Sequence, residues 1–253
     1  MIFAAGIGSR LKPFTDSHPK ALAPVAGKPA LQWAIDKFSR PDIDLIVVNT
    51  HHFAGQIKEY LASAGTADNG NRCPTPVAIS DESDRLLDTG GGLLKAAPML
   101  AGTEPVWLHN ADIITDFDLD SMARAFTADR ADATLLVSDR QSGRRLWFDR
   151  ATRRLTGWEN TATGETRPEG FLPDPAAHFH AAFGGVHLIR PDRVFPLLEE
   201  YAGIAGPVFS MTPFYIWAAR RLNITACAIP GPYRWFDIGT PEKLERCNAA
   251  FSR

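Results

Sequence analysis

The sequence predicts an α/β fold with a mostly parallel central sheet and helices on both faces, and three observations carry that expectation. Apolar, β-rich runs alternate with segments of helical period along residues 1–139, the order that builds parallel sheets covered on both sides. Residues 43–50, IDLIVVNT, form a continuous apolar run, as a strand buried on both faces requires. The chemically conspicuous residues follow the ends of such runs, where ligands sit in open α/β sheets.

Residues 2–5 begin the first strand and lead into a glycine-bearing loop. About three strand residues precede Gly6, against a usual ~5–6, and a start a few codons upstream would give this strand ordinary length. Residues 29–40, PALQWAIDKFSR, start with Pro29 and place Leu31, Ala34, Ile35 and Phe38 on one face, with Trp33 also read as core; that spacing predicts a helix. A helix over 53–64 and a strand over 76–80 follow, and a glycine cluster at 90–92 leads into helical LLKAAPML. A buried strand over 105–112 ends in acid, and a helix over 118–130 precedes a strand over 132–139.

From about residue 140 the pattern changes. RRLWFD and RRLTGWE flank a short turn at 151–153 and predict a hairpin, and residues 160–178, rich in Thr, Gly and Pro, predict an exposed loop. A strand over 178–189, helices over 191–202 and 211–222, strands in NITACAI and YRWFDIG, and a last helix from Pro241 complete the chain. The expectation is a single domain, 1–253, with halves of about 1–139 and 140–253.

Composition excludes several classes. The net charge of -2, without basic runs, argues against an extended nucleic-acid or anionic-membrane surface, so any bound polyanion is small and held by a few placed charges. No run of roughly eighteen or more apolar residues suggests a membrane span, and the first residues lack the regions of a signal peptide. The three cysteines, Cys73, Cys227 and Cys247, are widely spaced with no CxxC, which reads as reduced thiols in a cytoplasmic protein.

The opening stretch MIFAAGIGSRLKPFTDSHPK concentrates Gly6, Gly8, Arg10, Pro13, Pro19 and Lys20. A dinucleotide fingerprint fails here, because Leu11 stands at its third glycine and the prolines would break the helix it needs. What remains is either a glycine loop whose N–H groups approach phosphates, with Arg10 and Lys20 as movable charges, or a surface turn with incidental charges. In LLDTGGGLLKA (86–96), three consecutive glycines before a helix let backbone approach a flat ring or phosphate; the plainer reading is a helix start capped by Thr89. WLHNAD (107–112) ends a strand in Asp112, where a magnesium ion bridging phosphates could sit, or where the acid caps the next segment. RWFDIGTPEKL (234–244) sets Asp237 before a helix opened by Thr240 and Pro241, a cap that can also fix the aim of the carboxylate. His51-His52 and His178-Phe179-His180 lack further ligands for a metal set. Ser9, Ser142 and Ser210 have no nucleophile-elbow context.

Together these motifs resemble the sugar-1-phosphate nucleotidyltransferase family. The match begins at GIGSRLKPFTDSHPK, with Arg10 and Lys20 ten positions apart, continues at Asn110-Ala111-Asp112, and closes with Trp235 to Glu242. The short length without a β-helix extension, and the phrase DTGGGLLKA, are most similar to the N-acetylmuramate 1-phosphate uridylyltransferases of cell-wall (peptidoglycan) recycling.

The resemblance implies a Rossmann-like, three-layer nucleotidyltransferase (GT-A-like) fold, with residues 1–139 binding nucleotide and 140–253 binding sugar. It implies attack of a sugar 1-phosphate oxygen on the α-phosphorus of an NTP with release of pyrophosphate, Mg²⁺ as cofactor, and a monomer or small homo-oligomer acting on small molecules, with no nucleic acid or membrane partner. By resemblance, Arg10, Lys20, Asp112 and Asp237 are catalytic and Asp112 and Asp237 hold the metal. Ala4, Ala5, Gly6, Gly8, Arg10, Glu82, Thr89, Gly90, Gly91 and Asn110 contact the nucleotide, and Glu159, Gly185 and Asp237 the sugar. Two departures stand out: Ala111 replaces a usual glycine and is expected to crowd the ribose, and Asn160 replaces the lysine of a Glu-Lys pair. The sugar phosphate is then expected to use Arg154, Arg167, or Lys20 with the metal. Competing readings are a mannose-1-phosphate guanylyltransferase, a phosphocholine cytidylyltransferase, and a non-catalytic nucleotide-binding module, the last disfavoured because all four charged residues are present.

Overall fold

The computed structural model describes residues 1–64, 75–102, 105–228 and 231–251; Cys73 lies outside them. In chain order the elements are β1 (Ile2–Phe3), β2 (Pro24–Val25), β3 (Lys28–Pro29), α1 (Ala30–Phe38), β4 (Ile46–Thr50), α2 (Ala54–Ala64), β5 (Val77–Asp81) and α3 (Asp88–Leu100). There follow β6 (Val106–Asn110), β7 (Ile113–Thr115), α4 (Leu119–Ala128), β8 (Ala133–Ser138), β9 (Arg144–Asp149), β10 (Leu155–Asn160) and β11 (Glu165–Arg167). The chain closes with β12 (His178–Ile189), α5 (Pro191–Ala205), α6 (Met211–Ala218), β13 (Ile224–Cys227), β14 (Trp235–Asp237) and α7 (Pro241–Phe251).

These elements fall into two compact units that interleave along the chain instead of dividing near residue 139. The first comprises 1–100, 109–116 and 233–253, the second 101–108 and 117–232.

In the first unit β1 lies between β4 and β6, with Ile2 opposite Val48 and His109, and β4 pairs with β5; every one of these pairings is parallel. β4 is buried at all five positions, which explains the apolar run of Ile46, Val47 and Val48 and obliges Asn49 and Thr50 to find partners inside the protein. α1 buries Ala30, Leu31, Ala34, Ile35 and Phe38, the face that the helical spacing predicted. A second small core gathers Leu11, Ala23, Val25, Ala30, Ile114, Ile238 and Cys247, and so ties the segment after the glycine loop to β7, β14 and α7. Cys247 is fully buried and unbridged, and that burial pushes its thiol pKa up to about 11.

In the second unit β12 pairs antiparallel with β8 and β9, β9 with β10, and β10 with β11, while β13 runs parallel to β8. The sheet is therefore mixed. Two elements escape the sequence reading. β11 lies inside the expected loop because only its pairing with β10, Trp158 opposite Arg167, makes it a strand. β7 exists because Ile113 finds Asp237 of β14, a partner far away in the chain. The glycines 90–92 are also corrected: they lie within the first turns of α3 and are buried, not in a loop before it. Asp118 caps α4, accepting from the N–H groups of Asp120 and Ser121.

His109, on β6, is 1% exposed, and neither ring nitrogen has a hydrogen-bond partner among the described residues. Burial, then Lys37, lowers its pKa from the usual 6.5 to about 3. The unfolded chain therefore binds a proton that the fold refuses, so this contribution to stability is intact at neutral pH and is lost as pH falls below 6.5. By pH 5 the loss is ~2 kcal/mol. In urea unfolding, His109→Leu is expected to shrink the drop in stability between pH 7 and pH 5 by that amount; equal drops in the two proteins would refute the account.

Candidate functional site

β1 is followed at once by Ala4 and Ala5, both 5% exposed, then by exposed Gly6 and by Gly8 at φ +69. The loop is held from within: the carbonyl of Gly8 accepts the Leu11 N–H at 2.8 Å and the Thr15 hydroxyl at 2.9 Å. A Cβ at Gly8 would stand 2.9 Å from both Lys20 Cβ and Thr15 Cγ2. Glycine at this position thus serves twice, tolerating the left-handed backbone and letting the loop lie against the stem of Lys20.

The loop is also fixed from beneath. The Ala4 N–H donates to Asn49 Oδ1 at 2.7 Å, and Asn49 Nδ2 donates to Glu82 Oε1 at 2.7 Å. Glu82 is 0% exposed. Its other carboxylate oxygen accepts the Leu87 N–H at 3.3 Å, and its N–H donates to the Thr50 carbonyl at 2.8 Å. Burial raises its pKa above the usual carboxylate range against the opposing pull of Asn49 and Leu87. The place of Glu82 among the nucleotide contacts is therefore revised, since its carboxylate faces inward and joins β4 to the approach of α3. Asn49 was missed, although one asparagine inside an apolar strand is a signal in itself, because a buried amide must find partners. Gly92 completes the bracket: a Cβ there would stand 2.7 Å from Glu82 Oε1 and 2.9 Å from Asn49 Nδ2. Gly90 and Gly91 are buried in the opening turn of α3, and the Thr89 N–H donates to Asp88 Oδ1 at 2.6 Å. The N-terminal end of α3 carries the positive pole of its dipole.

Asn110 ends β6 opposite Phe3. Ala111, 2% exposed, turns its methyl into the protein, so the expected crowding of a ribose does not arise from that side chain. Asp112 sits in the turn between β6 and β7, and its carbonyl accepts the Ile238 N–H at 3.0 Å. That bond places the backbones of Asp112 and Asp237 side by side across the β7–β14 ladder.

The carboxylate of Asp112 is ion-paired with Lys20, whose side chain is 12% exposed. Asp237 Oδ1 accepts the Gly239 N–H at 2.7 Å and Oδ2 accepts Lys243 Nζ at 2.6 Å. Burial pushes the Asp237 pKa up, but the Lys243 hydrogen bond, the charges of Lys20 and Lys243, and the Gly239 N–H together hold it below the usual range. A Cβ at Gly239 would lie 2.7 Å from Asp237 Oδ1 and 3.3 Å from Arg10 Nη2. Arg10, Lys20, Asp112 and Asp237, from four places in the sequence, thus converge within the first unit. Lys243 had not been anticipated; it is one helical turn into α7 and carries no motif of its own.

As metal donors, the two aspartates are hard oxygen ligands on neighbouring backbones. They suit Mg²⁺, which is commonly held by one or two carboxylates with the remaining positions filled by water and substrate phosphates. No cluster of three or more His, Cys, Asp and Glu able to hold a metal occurs among the described residues.

Glu159 and Gly185 belong to the second unit. Glu159 Oε2 accepts the Trp147 indole N–H at 3.1 Å. Gly185 has φ +73 and lies where the β12–β8 register shifts, a bulge of the kind that re-aims side chains near active sites. Arg167 pairs with Trp158 across β10–β11 and lies over its ring at 5.2 Å, on the face of β10 opposite to Glu159. Arg154 Nη2 donates to the Leu222 carbonyl at 3.1 Å.

Comparison with known proteins identifies the family and the fold. The MobA-like NTP transferase domain model matches residues 1–207. N-acetylmuramate alpha-1-phosphate uridylyltransferase of Caulobacter vibrioides is 28% identical over 248 residues, 96% of this chain and 92% of its own. The protein of the same name from Neisseria meningitidis serogroup B is 29% identical over 256 residues, 98% of this chain and 96% of its own. The structure of apo UDP-glucose pyrophosphorylase superposes with a TM-score of 0.74 at 17% identity, covering 99% of this chain and 96% of that one. The fold is the three-layer α/β nucleotidyltransferase fold.

Proposed function

Because the chain belongs to the MobA-like NTP transferase family, we propose that it transfers uridylyl from UTP to N-acetylmuramate 1-phosphate, releasing pyrophosphate. That it is a sugar-1-phosphate nucleotidyltransferase is the common ground of its relatives; the choice of UTP and of this sugar rests on the full-length match to the two uridylyltransferases. The observation that carries the reading is the convergence of Arg10, Lys20, Asp112 and Asp237 beside a glycine loop at the carboxyl ends of parallel strands.

The chemistry asks for little beyond charge and position. A phosphate monoester has a second pKa near ~6, so the nucleophile is already mostly dianionic at neutral pH and needs no strong base. Its oxygen attacks the α-phosphorus as the bond to the β-phosphate breaks, and the electron pair leaves with pyrophosphate. The barrier is repulsion between polyanions plus charge growing on the leaving group, which preorganised cations lower. Arg10 is proposed to neutralise the β- and γ-phosphates, and Lys20 to reach the phosphate at the reacting centre. The loop from Ala4 to Gly8 is proposed to hold base and triphosphate, Gly90 and Gly91 to let base and ribose approach, and Asp112 and Asp237 would hold Mg²⁺. When bound, that ion supplies further positive charge to the phosphates. Glu159 and Gly185 are proposed as the sugar-reading residues of the second unit.

The test is pyrophosphate release with Mg²⁺, crossing UTP, GTP, CTP and dTTP against several sugar 1-phosphates and phosphocholine. Fastest turnover is expected for UTP with N-acetylmuramate 1-phosphate. Faster turnover of another pair would move the substrate assignment while leaving the mechanism, and silence across the panel would overturn both.

A further inference from the structure

A cavity of about 870 Å³ opens in the second unit, lined by residues of β9, β10, β11, α5 and α6 and by the turns beside them. No residue assigned above to nucleotide or metal lines it, and of those considered for the sugar only Arg154 and Arg167, weighed as substitutes for the lysine missing at Asn160, do so. It borders Thr156 and Arg167, on the face of the hairpin that carries Trp158, whereas Glu159 points to the other face and meets Trp147. Its volume lies in the ~300–1,000 Å³ range of small-molecule sites.

Two features of the lining define a chemistry. Arg154, Arg167 and Arg220 all border the cavity. Arg154 and Arg167 spend only part of their donor sets on the Leu222 carbonyl and on Glu165, and Arg220 makes no hydrogen bond or ion pair among the described residues. Two carboxylates of the lining, Asp149 and Glu169, offset them, so the lining itself keeps an excess of one positive charge, with Glu165 paired to Arg167 from outside it. Asp149 has one oxygen occupied by the Ala151 N–H at 3.0 Å, the Thr152 N–H at 2.7 Å and the Thr152 hydroxyl at 2.8 Å. The second feature is an aromatic wall, with the rings of Tyr201 and Trp217 5.2 Å apart at 50° and a Tyr201 hydroxyl with no hydrogen-bond partner among the described residues.

We propose that this cavity is a second ligand site, separate from the transfer chemistry, that binds an organic phosphate monoester carrying an aromatic ring. A carboxylate is satisfied by one bidentate guanidinium, whereas a phosphate presents three oxygens in different directions and takes donors from several. The ring would lie against Trp217 and Tyr201, where stacking and area burial act together.

The probe is phenyl phosphate, titrated into the full-length protein by calorimetry and by tryptophan fluorescence, with phenylacetate and benzyl alcohol alongside. Saturable one-to-one binding is expected for phenyl phosphate, with phenylacetate at least tenfold weaker and benzyl alcohol not bound. Arg220→Glu should weaken phenyl phosphate at least tenfold while leaving pyrophosphate release at the wild-type rate, and Trp217→Phe should remove most of the fluorescence change. Arg154→Gln is the second variant, expected to act in the same direction if Arg220→Glu does not fold. Absence of saturable binding, phenylacetate binding as tightly as phenyl phosphate, or binding that both arginine variants leave intact and UTP displaces would each overturn the proposal; the last would assign the probe to the nucleotide site.

Discussion

Asp237→Asn is expected to lower kcat by on the order of 10³ while the protein remains folded. The asparagine oxygen can still accept the Gly239 N–H, now bonded at 2.7 Å to the aspartate, so the turn into α7 keeps its local hydrogen bond. What disappears is the negative charge. Asp237 lies among Lys20 and Lys243, with Arg10 Nη2 close to the Gly239 backbone. Without it the cluster becomes more positive, and simple attraction of a triphosphate should not suffer. A large fall in kcat with KM for the nucleotide little changed is therefore the signature of a lost metal ligand, not of a lost binding charge. The necessary partner experiment is Lys243→Ala, which breaks the same ion pair from the other side. If Asp237 serves only to anchor α7, the two variants will behave alike. If it serves the phosphates through Mg²⁺, Lys243→Ala will keep most of its turnover, and its Mg²⁺ requirement will fall because the carboxylate no longer has a lysine to displace. Thermal unfolding of both variants separates either outcome from simple loss of structure.

The division between what the sequence reveals and what it conceals follows the range of the forces involved. α1 is legible because its buried residues recur at a period that local geometry imposes, and β4 because burial on both faces makes Ile46, Val47 and Val48 apolar in succession. The strand-end positions of Gly8 and Asp112 follow in the same way, since a βα unit places its ligand loops there. β7 is not legible. Three residues, Ile113–Thr115, carry no period, and they become a strand only through residues 235–237 at the far end of the chain. The same holds for the Lys243–Asp237 pair, invisible until that ladder exists. Glu82, expected at the nucleotide by resemblance alone, has its carboxylate buried against Asn49, a contact the sequence does not display because Asn49 comes from another strand.

The Asn49–Glu82 bracket yields the second large effect, in which one substitution made at two glycines has opposite signs. Gly55 lies in the first turn of α2, and a Cβ there would meet nothing within 4 Å. Gly55→Ala is expected to stabilise by up to ~1 kcal/mol through lower backbone freedom in the unfolded chain and better helix propensity. Gly92 lies inside α3 and gains the same propensity, but its new methyl would stand 2.7 Å from Glu82 Oε1 and 2.9 Å from Asn49 Nδ2. Both atoms end side chains, which elsewhere would simply swing aside. Here Glu82 is 0% and Asn49 2% exposed, and moving either one breaks their mutual bond or the bond from Asn49 to the Ala4 N–H. Overpacking costs about 1–3 kcal/mol, and an orphaned buried polar group about 1–3 more, against a gain of at most ~1. A net destabilisation of about 1–5 kcal/mol is therefore expected for Gly92→Ala in urea unfolding. The displaced Ala4 also belongs to the loop proposed to hold the triphosphate, so KM for the nucleotide should rise in the variant molecules that remain folded, while Gly55→Ala leaves it unchanged. Equal and positive effects at the two glycines would mean that the bracket yields freely, and that neither Asn49 nor Glu82 holds the loop in place.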